Sequence, residues 1–284
     1  MNLSGSRQIG AVGLGLAAFL VAAHAHATDA SAWDGDARSA VRLIAGDTKS
    51  VGDTPLRAGM EIRLAPGWKT YWRYPGDSGV PPRFDFAGSD NVQRVTVLWP
   101  TPHRFSDGSG QSIGYTGGVV LPLQVQAKDA TKPVTLRLKV EYAICEKLCV
   151  PAEASAELPL AASGNSSTNE ALTAAEARVP KPASVGENAP LAVRSVHDES
   201  GARFTRVIVD VAAPEGEPVD LFAEGPSPEW ALPVPTPVAG APSGLQRFAF
   251  DLDGVPPGVN PHGAVLTLTA GAGSSAIEVK TKLE

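Results

Sequence analysis

The stretch Val134-Thr-Leu-Arg-Leu-Lys-Val-Glu-Tyr142 alternates apolar and polar residues without a break. Successive side chains of a strand point to opposite faces, so this period of two marks a strand with one face in a core and the other in water. The strand runs directly into Ala143-Ile-Cys145-Glu-Lys-Leu-Cys149-Val-Pro151, which holds the only two cysteines of the 284 residues. Working outward, residues 92–99 and 119–126 show the same alternation, and Pro75-Gly76-Asp77, Asp107-Gly108 and Gly117-Gly118 punctuate the runs as turns. Residues 33–160 therefore read as an antiparallel sandwich of immunoglobulin-like size.

Beyond residue 160 the composition changes. Residues 161–188 are small, polar and proline-stiffened, and read as a linker with one short helix, because Ser167-x-x-Glu170 has the capping-box pattern ahead of an Ala-rich run. Strand patterns return at 204–211, 245–252, 264–270 and 276–282, so residues 189–284 read as a second, smaller β-sandwich. The fold class expected is all-β, an immunoglobulin-like β-sandwich followed by a smaller one. The second module has no cysteine and no acidic cluster with metal spacing, and reads as a structural or docking module.

The N-terminus carries Arg7, an uncharged apolar run over residues 9–23 and then Ala25-His26-Ala27, which fits the small-x-small rule for signal peptidase. The run is about 15 residues, short of the roughly 20 that span a bilayer, so residues 1–27 read as a signal peptide cleaved near Ala27. The expected location is the periplasm. A net charge of −6 with acids and bases interspersed argues against nucleic acid or an anionic membrane surface as partner.

An exported cysteine pair meets oxidants. Four residues of continued strand would hold Cys145 and Cys149 about 13 Å apart, whereas a disulfide needs roughly 4.4–6.8 Å between Cα atoms. A bond between them therefore requires Glu146-Lys147-Leu148 to turn back. As a staple such a bond is weak: a loop of about five residues gives roughly 2 kcal/mol by chain entropy, against about 4.7 for a loop of ~100. Thiol–disulfide exchange needs one thiolate to attack, a second thiol to resolve and access for the partner's sulfur, and two cysteines on a turn meet the first two needs. Lys147 favours a thiolate and Glu146 opposes it. Copper is the chemical alternative, since C-x-x-x-C before a proline also resembles the site of SCO-type proteins, where two thiolates and a histidine suit Cu(I). Of the five histidines, His24 and His26 leave with the signal, and of His103, His197 and His262 only His103 lies in the cysteine module.

Further residues narrow these alternatives. Trp68-Lys-Thr-Tyr-Trp-Arg-Tyr-Pro-Gly-Asp-Ser-Gly79, Trp99-Pro-Thr-Pro-His-Arg-Phe105, Tyr115, Leu121-Pro-Leu123 and the segment 142–151 resemble, in this order, the N-terminal periplasmic domain of the DsbD and ScsB thiol:disulfide interchange proteins. The match spans about residues 33–160, and the second sandwich is similar to the two-module N-terminal region of the ScsB-like branch. The resemblance implies an immunoglobulin-like domain that relays electrons, a component of a protein-disulfide reductase, with no cofactor and no metal. Cys149 is then the attacking thiol and Cys145 the resolving one. A cap loop shields the pair in that family and corresponds here to residues 103–110, with Phe105 as its aromatic. The 284 residues carry neither a multi-helix membrane domain nor a thioredoxin domain, so the expected partners are a separately encoded membrane electron carrier and a periplasmic thioredoxin-like oxidoreductase. The alternative expectation is that it serves another thiol pathway, such as cytochrome c maturation or protection against copper.

The aromatic group Trp68, Tyr71, Trp72 and Tyr74 reads first as sandwich packing. In the functional alternative Tyr71 or Tyr74 walls the cysteine site. Arg73 and Asp77 are placed to pair across the Pro75-Gly76 turn, an exposed pair worth little.

Overall fold

Alternation over residues 134–142 is realised as one long strand of a two-sheet stack, and the chain around it follows the same rule. The structure, a computed structural model, describes residues 1, 28–46, 54–77, 79–106, 110–160, 167–200 and 203–284. The expected signal peptide apart from Met1, the Asp107-Gly108 turn within the expected cap loop, and residues 161–166 of the expected linker lie outside the described residues.

In chain order the first strands are β1 (Asp34–Gly35), β2 (Ser39–Ala45), β3 (Leu56–Leu64), β4 (Lys69–Gly76), β5 (Arg83–Asp85) and β6 (Val92–Val97). There follow β7 (His103–Ser106), β8 (Gln111–Thr116), β9 (Gly118–Ala127), β10 (Val134–Cys145) and β11 (Cys149–Leu160). Helix α1 (Asn169–Ala177) comes next, then β12 (Lys181–Ala183), β13 (Ala192–Ser200), β14 (Thr205–Ala212) and β15 (Asp220–Glu224). The last strands are β16 (Thr236–Pro237), β17 (Leu245–Asp251), β18 (Val265–Ala272) and β19 (Ser275–Lys282).

One sheet of the first sandwich has the order β1-β2-β3-β9-β6, and the other has β11-β10-β4-β8-β7 with β5 also pairing on β10. The alternate residues Val134, Leu136, Leu138, Val140 and Tyr142 of β10 point into a core shared with Val41, Leu43, Met60 and Ile62 of the facing sheet. The second sandwich stacks β12-β19-β18-β15 on β13-β14-β17-β16, around Val207, Val209, Phe248, Phe250, Leu266 and Leu268. The all-β, two-sandwich reading holds, and the strands expected at 92–99, 119–126, 134–142, 204–211, 245–252, 264–270 and 276–282 are β6, β9, β10, β14, β17, β18 and β19.

The region expected as a linker differs in detail. Thr168, not Ser167, occupies the N-cap of α1, and its own side chain makes no capping hydrogen bond. The Thr168 hydroxyl donates instead to the Ala45 carbonyl at 2.5 Å, and the Ser167 amide donates to Asp29 at 2.6 Å. Tertiary partners thus outcompete the local capping box. Leu172 and Ala175 are buried, and Arg57 of β3 bonds Glu176 at 2.7 Å and Asn169 at 2.8 Å, which anchors α1 to the first sandwich. Lys181–Ala183, also inside the expected linker, is a strand paired parallel to β19.

Contacts between the sandwiches are substantial. Phe222 and Val234 of the second complete the core of the first, where Phe222 meets Trp72 at 5.6 Å between ring centroids. Arg73 does not pair with Asp77. Its guanidinium bonds Glu224 at 2.7 Å and Glu278 at 2.6 Å, both in the second sandwich, and lies over the Trp72 ring. The cause is Gly76, at φ +81° where the β4–β8 ladder shifts register, which turns Asp77 to accept the Gln111 amide at 2.9 Å.

Inside the second sandwich, Asp210 is buried and accepts from its cross-strand partner Arg247 at 2.7 and 2.8 Å and from Ser195 at 3.1 Å. The Arg247 hydrogen bonds hold its carboxyl below the usual carboxylate range. A depressed folded pKa contributes stability that is complete above the unfolded pKa, about 3.9, and is lost as pH falls through the folded value. Thermal melts between about pH 5 and pH 2 should therefore show a steeper acid loss in the wild type than in Asp210→Asn, which is less stable near neutrality.

Candidate functional site

β10 and β11 pair residue for residue from Val134↔Leu160 to Cys145↔Cys149, so Glu146-Lys147-Leu148 is the three-residue turn of a hairpin. The Cα atoms of Cys145 and Cys149 stand 4.1 Å apart and the sulfurs are bonded. The turn that pairing requires is present, at the residues expected.

Two changes along β10 create the site. Up to Tyr142 only alternate residues are buried, but Ala143, Ile144 and Cys145 are buried in succession. Here β4 lies alongside, with Thr70 opposite Ile144 and Lys69 opposite Cys145, and both faces of the sheet are covered. Trp72 of β4 points into the core, so Lys69 and Tyr71 take the outer face by alternation. Tyr71, Ala143 and Cys145 form a small buried cluster there, separate from the main core.

The two sulfurs are unequal. Cys145 is 4% exposed, whereas Cys149 is exposed to solvent. The Tyr71 hydroxyl lies 3.0 Å from the Cys149 sulfur, and since a disulfide sulfur carries no hydrogen, the hydroxyl is the donor. Leu148, next to Cys149 at the hairpin tip, is 79% exposed, unusual for a large apolar side chain. Lys69 is 7% exposed, with its ammonium 5.6 Å from the centroid of the Phe105 ring. Phe105, on β7, thus reaches this face over Lys69.

Between β7 and β4, Gly114 of β8 faces both His103 and Tyr71. A Cβ at Gly114 would lie 1.9 Å from the Thr70 carbonyl oxygen, a backbone atom that cannot swing away. Gly114→Ala should cost about 1–3 kcal/mol through forced strand displacement, read as a lowered melting temperature of the oxidised protein.

The other expected residues lie elsewhere. The Tyr74 hydroxyl donates to the Leu232 carbonyl and its ring packs against both cores, so Tyr74 belongs to the contact between sandwiches and not to the wall around the sulfurs. The His103 ring nitrogen is 3.5 Å from the Arg178 guanidinium. Among the described residues no three His, Cys, Asp or Glu side chains group as metal ligands. Lys69 and Leu148 were not singled out from sequence. Period-two alternation past Trp72 was the available signal for Lys69, and an apolar residue at the centre of a polar turn was the signal for Leu148.

A two-sandwich all-β protein with a hairpin disulfide on its outer face, one sulfur open and one buried, defines a class. Residues 40–161 match the family described as thiol:disulfide interchange protein DsbD, N-terminal. The crystal structure of the N-terminal periplasmic domain of ScsB from Proteus mirabilis superposes with a TM-score of 0.71 at 20% identity, covering 90% of this chain and 98% of that one. No curated protein matches the chain. The chain resembles the DsbD/ScsB N-terminal domain, and its fold is the one that the ScsB domain has.

Proposed function

We propose that this protein is a periplasmic thiol:disulfide relay in which Cys149 exchanges with partner sulfurs and Cys145 resolves the mixed disulfide. The observation that carries the reading is the inequality of the sulfurs, one exposed at a hairpin tip and one buried beneath Tyr71. An incoming sulfur can reach only the exposed member, and the buried member is then held within bonding range of it. The apolar Leu148 beside Cys149 suits docking of a partner whose own cysteine is flanked by apolar surface. The family matched by residues 40–161 supports the interchange chemistry. The export signal, read from residues 1–27, supports the compartment, and among the described residues no helix is long and apolar enough to cross a membrane.

In this scheme a membrane electron carrier reduces the Cys145–Cys149 bond, and the dithiol passes two electrons to a periplasmic thioredoxin-like oxidoreductase. Mixing the reduced protein with an oxidised thioredoxin-like protein and alkylating free thiols after quenching tests the transfer. The expected result is a stoichiometric exchange of thiols, two gained by the partner for two lost here. Retention of both thiols over minutes, with a partner that other dithiols reduce, would sink the proposal.

A further inference from the structure

We infer that the cleft between the two sandwiches is a binding site for a small zwitterion, an amino acid or short peptide with free ends, whose carboxylate meets Arg178 and whose ammonium meets Glu217. The inference uses neither sulfur and stands apart from the exchange reading above.

The cleft has a volume of about 540 Å³. That lies within the roughly 300–1,000 Å³ of sites that hold small molecules, and such sites are built preferentially at domain interfaces. One wall is formed by Thr101, Pro102 and His103 around the start of β7, with Arg178 at the end of α1. The other wall belongs to the second sandwich and comprises Glu217, Asp220 and residues 271–275 at the β18–β19 turn. Pro102, Gly271 and Ala272 are buried and make the floor. A Cβ at Gly271 would lie only 2.7 Å from the Thr101 methyl carbon, so the two modules touch there. Thr101 also fixes the first wall, since its amide and hydroxyl both donate to the Arg178 carbonyl at 2.9 Å.

The walls carry opposite charges that do not meet. Among the described residues the exposed Arg178 guanidinium has no carboxylate partner. Its contacts are the Thr101 carbonyl and the His103 ring nitrogen, each at 3.5 Å, beyond the usual hydrogen-bond range. The exposed Glu217 carboxylate has no basic partner among the described residues either, and lies against the turn glycine, Gly273. The remaining carboxylate of the cleft, Asp220, faces Arg104 at 3.8 Å. An anion alone would confront Glu217 and a cation alone would confront Arg178, so charge complementarity selects a ligand that carries both signs. A free carboxylate matches the planar fork of a guanidinium, which donates two parallel hydrogen bonds. Ser274 and Ser275 add hydroxyls that can donate to or accept from a peptide group between the two ends. A ligand held from both walls binds only the assembled pair of sandwiches and therefore stabilises their contact.

Isothermal titration calorimetry of the full chain in its oxidised form, with alanine and with alanyl-alanine, tests the site. Saturable one-to-one binding is expected, and the tighter of the two identifies the ligand as a free amino acid or as a peptide. Acetylating the amino end, or converting the carboxyl end to an amide, should each weaken binding about tenfold, as expected for the loss of one charge-assisted pair. Arg178→Gln should bind the zwitterion and its amide equally, and Glu217→Gln should bind the zwitterion and its acetylated form equally. Both side chains are exposed, so the variants should melt as the wild type does. No saturable binding of either zwitterion up to about 10 mM overturns the site. Binding that the blocked forms match in the wild type does so too, as does discrimination that survives in Arg178→Gln and Glu217→Gln.

Discussion

Cys145→Ala is expected to convert a transient intermediate into a stable product. With the buried thiol removed, the reduced variant attacks an oxidised thioredoxin-like partner through Cys149 and stops there, because nothing remains to break the intermolecular bond. Non-reducing electrophoresis should show a covalent one-to-one complex that is resolved by dithiothreitol. Cys149→Ala should give no complex, since Cys145 is 4% exposed and covered by Tyr71 and Ala143. The contrast between the variants is the informative quantity. Equal trapping by both would mean that either sulfur is open to attack, against the geometry of the hairpin.

The second large effect is structural. Trp72 is completely buried, sits in the core of the first sandwich and meets Phe222 from the second, while its backbone belongs to the strand that carries Lys69 and Tyr71. Trp72→Ala should destabilise the protein by about 3–5 kcal/mol, from lost burial and the cavity left behind. Chemical denaturation should show it as a lower midpoint, and the loss should exceed that for Leu148→Ala, whose side chain already faces water. Because one ring serves both sandwiches, the first is not expected to keep its full stability when the second is cut away. The Arg73 pairs to Glu224 and Glu278 tie the same strand to the second sandwich and lie two residues from Tyr71. The second sandwich thus contacts the strand behind the sulfurs, in keeping with the structural side of the structural or docking module read from its composition.

Much of this was legible in the residues. Strict alternation at 134–142 located β10 and its inward face, and the distance limit on a disulfide located the turn at Glu146–Leu148, because both follow from local backbone geometry. Long-range partners were not legible. Arg73 looked placed for Asp77 because they are neighbours in sequence, but the positive φ at Gly76 turns Asp77 toward Gln111 and leaves Arg73 to the second sandwich. Ser167 and Glu170 have the spacing of a capping box, yet Asp29 and Ala45 reach the helix start from the other end of the domain. Tyr71 and Tyr74 were equivalent candidates for the site wall. Only the path of β4 separates them, sending the Tyr71 hydroxyl to Cys149 and the Tyr74 hydroxyl to Leu232. The Lys69 ammonium lies 5.6 Å from the centroid of the Phe105 ring, which comes from β7 about 36 residues away in sequence, a contact that no local pattern of the kind that marks strands announces.

The central claim, that Cys145 and Cys149 cycle between dithiol and disulfide in a folded protein, is tested most directly by an equilibrium redox titration against dithiothreitol, with alkylated thiols counted by mass spectrometry. The account predicts a single reversible two-electron transition in which exactly the two cysteines gain and lose label together while the melting curve stays cooperative at both ends. A pair that stays oxidised in excess reductant while the protein remains folded, or that is reduced only as the fold is lost, would contradict it.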